Sequence, residues 1–195
     1  NYSIVNAISG KKDINMQKLM KDNLFAYKGN KFCNKNCSCK GGGHHMSQNM
    51  IALSLSHYNI WKDMLQNNYK KCLILEDDCI FTEYVNNFNN IIGDIPEDWE
   101  LLYLGHCNKY SNANSTYVNN NFNKLNWGIN ETHIYAINDK GAQKLIENFY
   151  PIRAAIDGYL SHFITIGKII TNIYILKKNL GINGSIIGKF KSCSS

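Results

Sequence analysis

Leu73-Ile74-Leu75-Glu76-Asp77-Asp78 passes from wholly apolar to wholly acidic within six residues. The apolar run that opens it, Cys72 to Leu75, is too short for a helix. It reads as a strand buried on both faces, the pattern of a parallel sheet. In open α/β sheets ligands sit just beyond the carboxyl ends of strands, where these acids fall. Adjacent carboxylates raise one another's proton affinity, so they do not all ionise in a partly buried place without a cation. A hard divalent ion that takes one or two carboxylates and completes its shell with substrate phosphates suits such a site. A solvated acidic turn after a strand is the competing reading, and the flanking sequence decides between them.

Upstream, Met50, Leu53, His57, Ile60, Trp61 and Met64 recur at three- and four-residue steps, which predicts a long helix from Ser47. Asn67-Asn68 ends it, because Asn tolerates a left-handed cap. His57 is the polar member of that face and reads as a hydrogen-bonded core residue, with no acid or nucleophile local to it. Before the helix, Tyr2 to Ala7 reads as a strand and Ile14 to Met20 as a short helix. Residues 26–46 form a Cys- and Gly-rich loop. Downstream, Thr82 to Ile92 suggests a helix, Glu100 to Leu104 a strand, and the Asn-rich stretch 108–126 a surface loop. His133 to Ile137 reads as a strand, Asn138-Asp139 cap a helix running through Phe149, and Pro151 stops it. Ile156 opens another short helix with Asp157 in capping position, Ile169 to Leu176 is the last strand, and the tail from Ser192 is frayed.

The 195 residues are 44% hydrophobic, which suits a single α/β domain spanning 1–195 with a full core. The formal charge of +6 comes from 20 Lys and a single Arg153 scattered along the chain. That pattern attracts anionic ligands such as nucleotides and lacks the stripe of a nucleic-acid binder. No apolar run reaches the length of a membrane span, and no signal peptide is visible at Asn1. With 29 Asn and 25 Ile, the composition points to an A+T-rich genome, and abundant Asn generates sequons such as those at Asn36, Asn114, Asn130 and Asn183 by chance. Cys72 and Cys79 read as packing thiols. Cys33, Cys37 and Cys39 follow C-x3-C-x-C, which matches no common zinc spacing, so a disulfide or free surface thiols are favoured there. The cellular compartment stays open.

Four stretches resemble glycosyltransferase family 25. Leu53-Ser54-Leu55-Ser56-His57-Tyr58-Asn59-Ile60-Trp61 resembles its LSHxxIW helix, and Leu73 to Phe81 resembles its LxxEDD strand. Thr132 to Ile137 with Lys140 to Leu145 resembles its TxxYxISxxGAxKL block, and Pro151 to Leu160 is similar to its PxDxxL segment. Together they cover about residues 47 to 165, in the family's order and spacing. The family includes procollagen galactosyltransferases and lipopolysaccharide galactosyl- and glucosyltransferases.

The resemblance implies a GT-A-like fold, a Rossmann-type mixed sheet flanked by helices. It also implies a UDP-sugar donor, a Mn²⁺ or other divalent cofactor, and a hydroxyl acceptor on a glycan or a hydroxylysine-type protein. Asp78 and Asp77 stand at the metal position. Glu76, Asp77, His57, Trp61 and Thr132 belong to the nucleotide-sugar site. An acceptor hydroxyl has to lose its proton, which requires a carboxylate base. Asp157 is the first candidate because its segment matches, Glu131 the second, and a plain helix cap is the alternative role for Asp157. Asn1 to Lys12 resembles the family's second strand, so the first strand–helix unit is expected to be absent from this chain. That departure makes an inactive relative serving as a binding or scaffold module the alternative function. A two-metal phosphoesterase is disfavoured, since no second acid/His cluster is evident.

Overall fold

The computed structural model describes residues 2–25, 46–106, 115–126, 128–129, 131–165 and 169–185. Cys33, Cys37 and Cys39, most of the Cys/Gly-rich stretch and the tail from Ser192 lie outside them. Two short helices, α1 (Gly10–Asp13) and α2 (Met16–Lys21), precede the long helix α3 (Gln48–Gln66). Ser47 caps α3, its hydroxyl accepting from Met50 N at 3.2 Å, and Asn68 takes a φ of 57° just past its end. Strand β1 (Lys71–Leu75) follows, then β2 (Cys79–Phe81), a 3₁₀ turn (Glu83–Asn87) and α4 (Phe88–Gly93). Next come β3 (Leu101–Tyr103), β4 (Ser115–Tyr117), β5 (Phe122–Leu125), β6 (Ile134–Asn138) and α5 (Asp139–Asn148). Helix α6 (Ile156–Thr165) and strands β7 (Ile173–Leu176) and β8 (Gly181–Asn183) complete the order. No helix among the described residues is long and apolar enough to cross a membrane.

Six strands form one mixed sheet in the order β1-β6-β3-β7-β5-β4, and β2 pairs with β8 in a separate two-stranded ribbon. Strand alternation sorts the core into two layers. Leu101, Tyr103, Tyr135, Ile137, Ile173 and Ile175 pack with α3, α5 and α6 on one face. Leu102, Leu104, Ile134, Tyr174 and Leu176 pack with Ile91 and Trp99 on the other. The fold is therefore the mixed α/β sheet flanked by helices that the sequence implies.

Several expectations are corrected. The strand before the acids is not central. β1 lies at the sheet's edge and pairs antiparallel with β6. Ile74 is buried, while Leu73 and Leu75 are 41% and 42% exposed. The doubly buried strands are β3 and β7, which form the sheet's one parallel pair among the described residues. An apolar run reports what a strand can bury, and position in the sheet depends on partners far along the chain. Tyr2 to Ala7 forms no strand, and Ile4 stands 88% exposed. The single helix expected over Thr82 to Ile92 splits into the 3₁₀ turn and α4. The described part of the Asn-rich stretch is a hairpin, not a loop. β4 and β5 pair antiparallel, and Asn119 Oδ1 accepts from Asn121 N and Phe122 N to close the turn.

Asn138 joins two layers. Its Oδ1 caps α5 by accepting from Gly141 N at 2.8 Å, and its Nδ2 donates to the Trp99 carbonyl. Asn138→Ala is expected to cost about 2 kcal/mol in urea unfolding, the sum of a lost cap and an orphaned carbonyl. Asn138→Ser, which keeps a capping oxygen without the contact to Trp99, should lose visibly less.

Candidate active site

Because β1 and β6 run antiparallel, the carboxyl end of one meets the amino end of the other. Glu76 N donates to the His133 carbonyl at 3.0 Å, which carries the ladder one step past both strands. Glu76-Asp77-Asp78 thereby lie beside Glu131-Thr132-His133. β3 ends at the same place, with Tyr103 opposite Tyr135 and Gly105 N donating to the Ile134 carbonyl. A side chain on Gly105 would strike the His133 ring and the Gly181 carbonyl, so only glycine lets these segments close up.

Glu76 anchors the junction. Its Oε1 accepts from Thr132 Oγ1 at 2.6 Å and faces His57 Nε2 at 3.4 Å. His57 Nδ1 lies 2.8 Å from the Tyr135 hydroxyl, which also accepts from Trp61 Nε1 at 3.0 Å. Burial pushes the Glu76 carboxyl up, but the hydrogen bonds from His57 and Thr132, with His133 nearby, outweigh it and hold it below the usual glutamate range. His57 and Trp61 are 3% and 0% exposed, so they act on the site from beneath, through Tyr135 and Glu76, and not by touching a ligand. Thr132 likewise is buried and spends its hydroxyl on Glu76.

Glu131 has the opposite character. Its backbone sits at a φ of 89°, a conformation that costs a side-chain-bearing residue about 1–3 kcal/mol and concentrates at functional sites. Burial raises its carboxyl above the usual range; His133 pulls it down, and the nearby charges of Asp157 and Glu76 raise it further. His133 is buried, and its Nε2 lies 3.1 Å from the Gly181 carbonyl. A carbonyl only accepts, so Nε2 carries a proton. His133 Nδ1 is then left 3.5 Å from Glu131 Oε2 with no other partner. The two atoms are complementary when one proton lies between them.

Asp157 lies one residue inside α6, which starts at Ile156, so it is not the N-cap the sequence suggested. Its Oδ1 accepts from Gly158 N at 2.7 Å. Asp77 is exposed. Asp78 is half-buried and tied to the end of β8: its carbonyl accepts from Gly184 N at 2.8 Å and its Oδ2 from Ser185 Oγ at 2.6 Å. Its Oδ1 is buried with no partner. A hard cation fits that orphaned carboxylate oxygen. No cluster of three or more His, Cys, Asp or Glu among the described residues forms a metal cage. An ion here would rest on Asp78 and Asp77 and take its other oxygens from a ligand, the usual arrangement for a phosphate-bound divalent ion. Cys79, beside these acids, has its thiol pushed up to about 11 by burial and by Asp78 and Glu76, so it is inert at neutral pH.

The model of Glycosyltransferase family 25 (LPS biosynthesis protein) matches residues 1–160. The chain belongs to glycosyltransferase family 25. Procollagen galactosyltransferase 2 of Mus musculus is 29% identical over 110 residues, 52% of this chain and 17% of that protein. Procollagen galactosyltransferase 1 of Danio rerio is 24% identical over 144 residues, 62% of this chain and 23% of that protein. The Mus musculus protein named inactive glycosyltransferase 25 family member 3 is 30% identical over 70 residues, 32% of this chain and 11% of that protein. The matches to the two galactosyltransferases thus span 17% and 23% of their length. Of the family's motif residues, the fold gathers Glu76, Thr132, His57 and Trp61 into one hydrogen-bonded chain. Sequence reading passed over His133 and Tyr135. Both stood inside the Thr132 to Ile137 motif, but a strand pattern hides which side chains carry chemistry.

The raised Glu131 carboxyl gives a pH-dependent stability. An acid raised in the folded state costs nothing below its unfolded value of about 4.3 and progressively more as pH rises through the folded value. Glu131→Gln should therefore melt higher than the parent at pH 7, and that gain should vanish by about pH 4. A difference that stays constant across this range would contradict the shift.

Proposed function

We propose that this chain carries out the transfer of a hexose from a UDP-sugar to a hydroxyl acceptor on a glycan or a hydroxylysine-type protein, with a divalent ion such as Mn²⁺. The observation that carries the reading is Glu131: a carboxyl with raised proton affinity, on strained backbone, at the sheet end that also holds Glu76-Asp77-Asp78. In the transfer, the acceptor oxygen bonds to the anomeric carbon while the bond from that carbon to the diphosphate oxygen breaks. The bonding pair leaves on the diphosphate, and the acceptor's proton must go to a base. Glu131 takes that proton, and the His133 Nδ1 beside it gives the proton a second resting place. Base catalysis is most effective when the base's pKa lies near the working pH, which favours Glu131. Asp157 has a backbone partner on Oδ1 and serves to raise Glu131.

Asp78 and Asp77 would hold the divalent ion, which supplies positive charge to the departing diphosphate. Glu76 already spends Oε1 on Thr132 and His57, which makes it the least suited of the three acids to that role. The galactosyltransferases among the relatives favour galactose as the sugar.

The test is turnover of a panel of UDP-sugars by the full chain with and without Mn²⁺. The reading expects turnover that requires the ion. It expects Glu131→Gln to lower kcat by about a hundredfold to ten-thousandfold at parental donor affinity, and Asp157→Asn to lower it far less. Asp78→Asn should weaken UDP binding in the presence of Mn²⁺ and leave metal-free binding unchanged. No turnover with any UDP-sugar would instead favour an inactive binding module, and a fully active Glu131→Gln would remove Glu131 from the chemistry.

A further inference from the structure

His57 and Trp61 are one helical turn apart on α3, so both reach the same point on β6, the hydroxyl of Tyr135. Trp61 Nε1 can only donate, and it occupies one acceptor position of that oxygen. The hydroxyl proton then needs an acceptor in a fully buried place, and His57 Nδ1 at 2.8 Å is the partner within reach. Were the proton on Nδ1, two donors would meet at the oxygen and the hydroxyl would have none to receive its own. Satisfying every donor therefore puts the His57 ring proton on Nε2, the nitrogen that faces Glu76 Oε1. Hydrogen bonds then run in one direction, from Trp61 through Tyr135 and His57 to Glu76.

Glu76 passes this order on. Its Oε1 holds the Thr132 hydroxyl and its backbone N–H holds the His133 carbonyl. The two residues that follow Glu131 are thus fixed from one side. A positive φ at a glutamate persists only where its surroundings over-determine it, and here the restraint comes from Glu76.

We propose that Tyr135 is a positioning residue: by donating to Nδ1 it holds the His57 ring so that Nε2–H meets Glu76, and Glu76 fixes Thr132 and His133 so that Glu131 is presented at the end of the sheet. This rests on the assignment of Glu131 as the base. Tyr135 touches neither donor nor acceptor, so its removal moves the rate of the chemical step and not the binding of the donor. A misplacement of about 1 Å at a reacting group costs on the order of a hundredfold.

The experiment compares the full chain with its Tyr135→Phe and Thr132→Val variants by steady-state kinetics and by ¹⁵N and ¹³C NMR of the His57 ring and the Glu131 carboxyl. In the parent, His57 should carry its proton on Nε2. In Tyr135→Phe the Nδ1 resonance should shift as its hydrogen bond is lost, the Glu131 carboxyl titration should move, and kcat should fall on the order of a hundredfold at unchanged donor KM. Thr132→Val should reproduce the kinetic split with His57 still protonated on Nε2, and it carries the test if Tyr135→Phe does not fold. Parental kcat in Thr132→Val, or an unaltered Nδ1 resonance in Tyr135→Phe, overturns the proposal. Glu131→Gln separates the two assignments. If that variant keeps parental turnover, the base assignment fails and the NMR decides alone: a Glu131 titration that Tyr135→Phe moves supports the positioning role, and one that it leaves in place overturns it.

Discussion

One carboxylate oxygen, Glu76 Oε1, ties three separate parts of the chain together. It takes a hydrogen bond from Thr132 ahead of β6 and faces His57 on α3, while the Glu76 backbone continues the ladder from β1. A partly buried carboxylate is costly to ionise unless it is hydrogen-bonded, and these donors hold it ionised against burial. Its lowered proton affinity means that the junction is stabilising above the ordinary glutamate range and weakens as pH falls through the folded value. Acid should therefore loosen the sheet end that carries the site before it disturbs the apolar layers around β3 and β7.

Two glutamates stand side by side across the end of the ladder and are driven in opposite directions. Glu76 has hydrogen-bond donors and is held down, whereas Glu131 is half-buried with the charges of Asp157 and Glu76 against it and is held up. Environments that push paired carboxyls apart are how proteins divide structural and proton-transfer roles at one pH. The ionised Glu76 is itself part of what raises Glu131, so the anchor and the reactive group are electrostatically linked as well as hydrogen-bonded in sequence.

Much of this was legible in the residues, and the limits have physical causes. Helix α3 announced itself through its Ser47 cap, its apolar period and the Asn67-Asn68 stop, because these are local signals. Reading His57 as a hydrogen-bonded core residue agrees with its burial, although its partner Glu76 lies 19 residues downstream and Tyr135 lies 78 away. The place of β1 was misread, because Cys72 to Leu75 is equally apolar whether a strand lies in the middle of a sheet or at its edge. The β4–β5 hairpin was hidden because Phe122 and Leu125 sit among asparagines that on composition alone suggest a loop. Glu131 was legible as a carboxylate near a motif, but its strain and raised proton affinity exist only once His133, Asp157 and Glu76 are folded around it.

The account stands on His57 and Thr132 acting through the same oxygen of Glu76, and a double-mutant cycle measures that directly. Unfolding free energies of the parent, His57→Phe, Thr132→Val and the double variant give the coupling between two residues that are 75 positions apart in sequence. Shared use of the carboxylate predicts a coupling of about 0.5–3 kcal/mol, beyond the additivity expected of independent sites. Losses that add to within about 0.3 kcal/mol would mean that the two residues do not meet at Glu76, and the junction proposed to hold Glu131 would not exist.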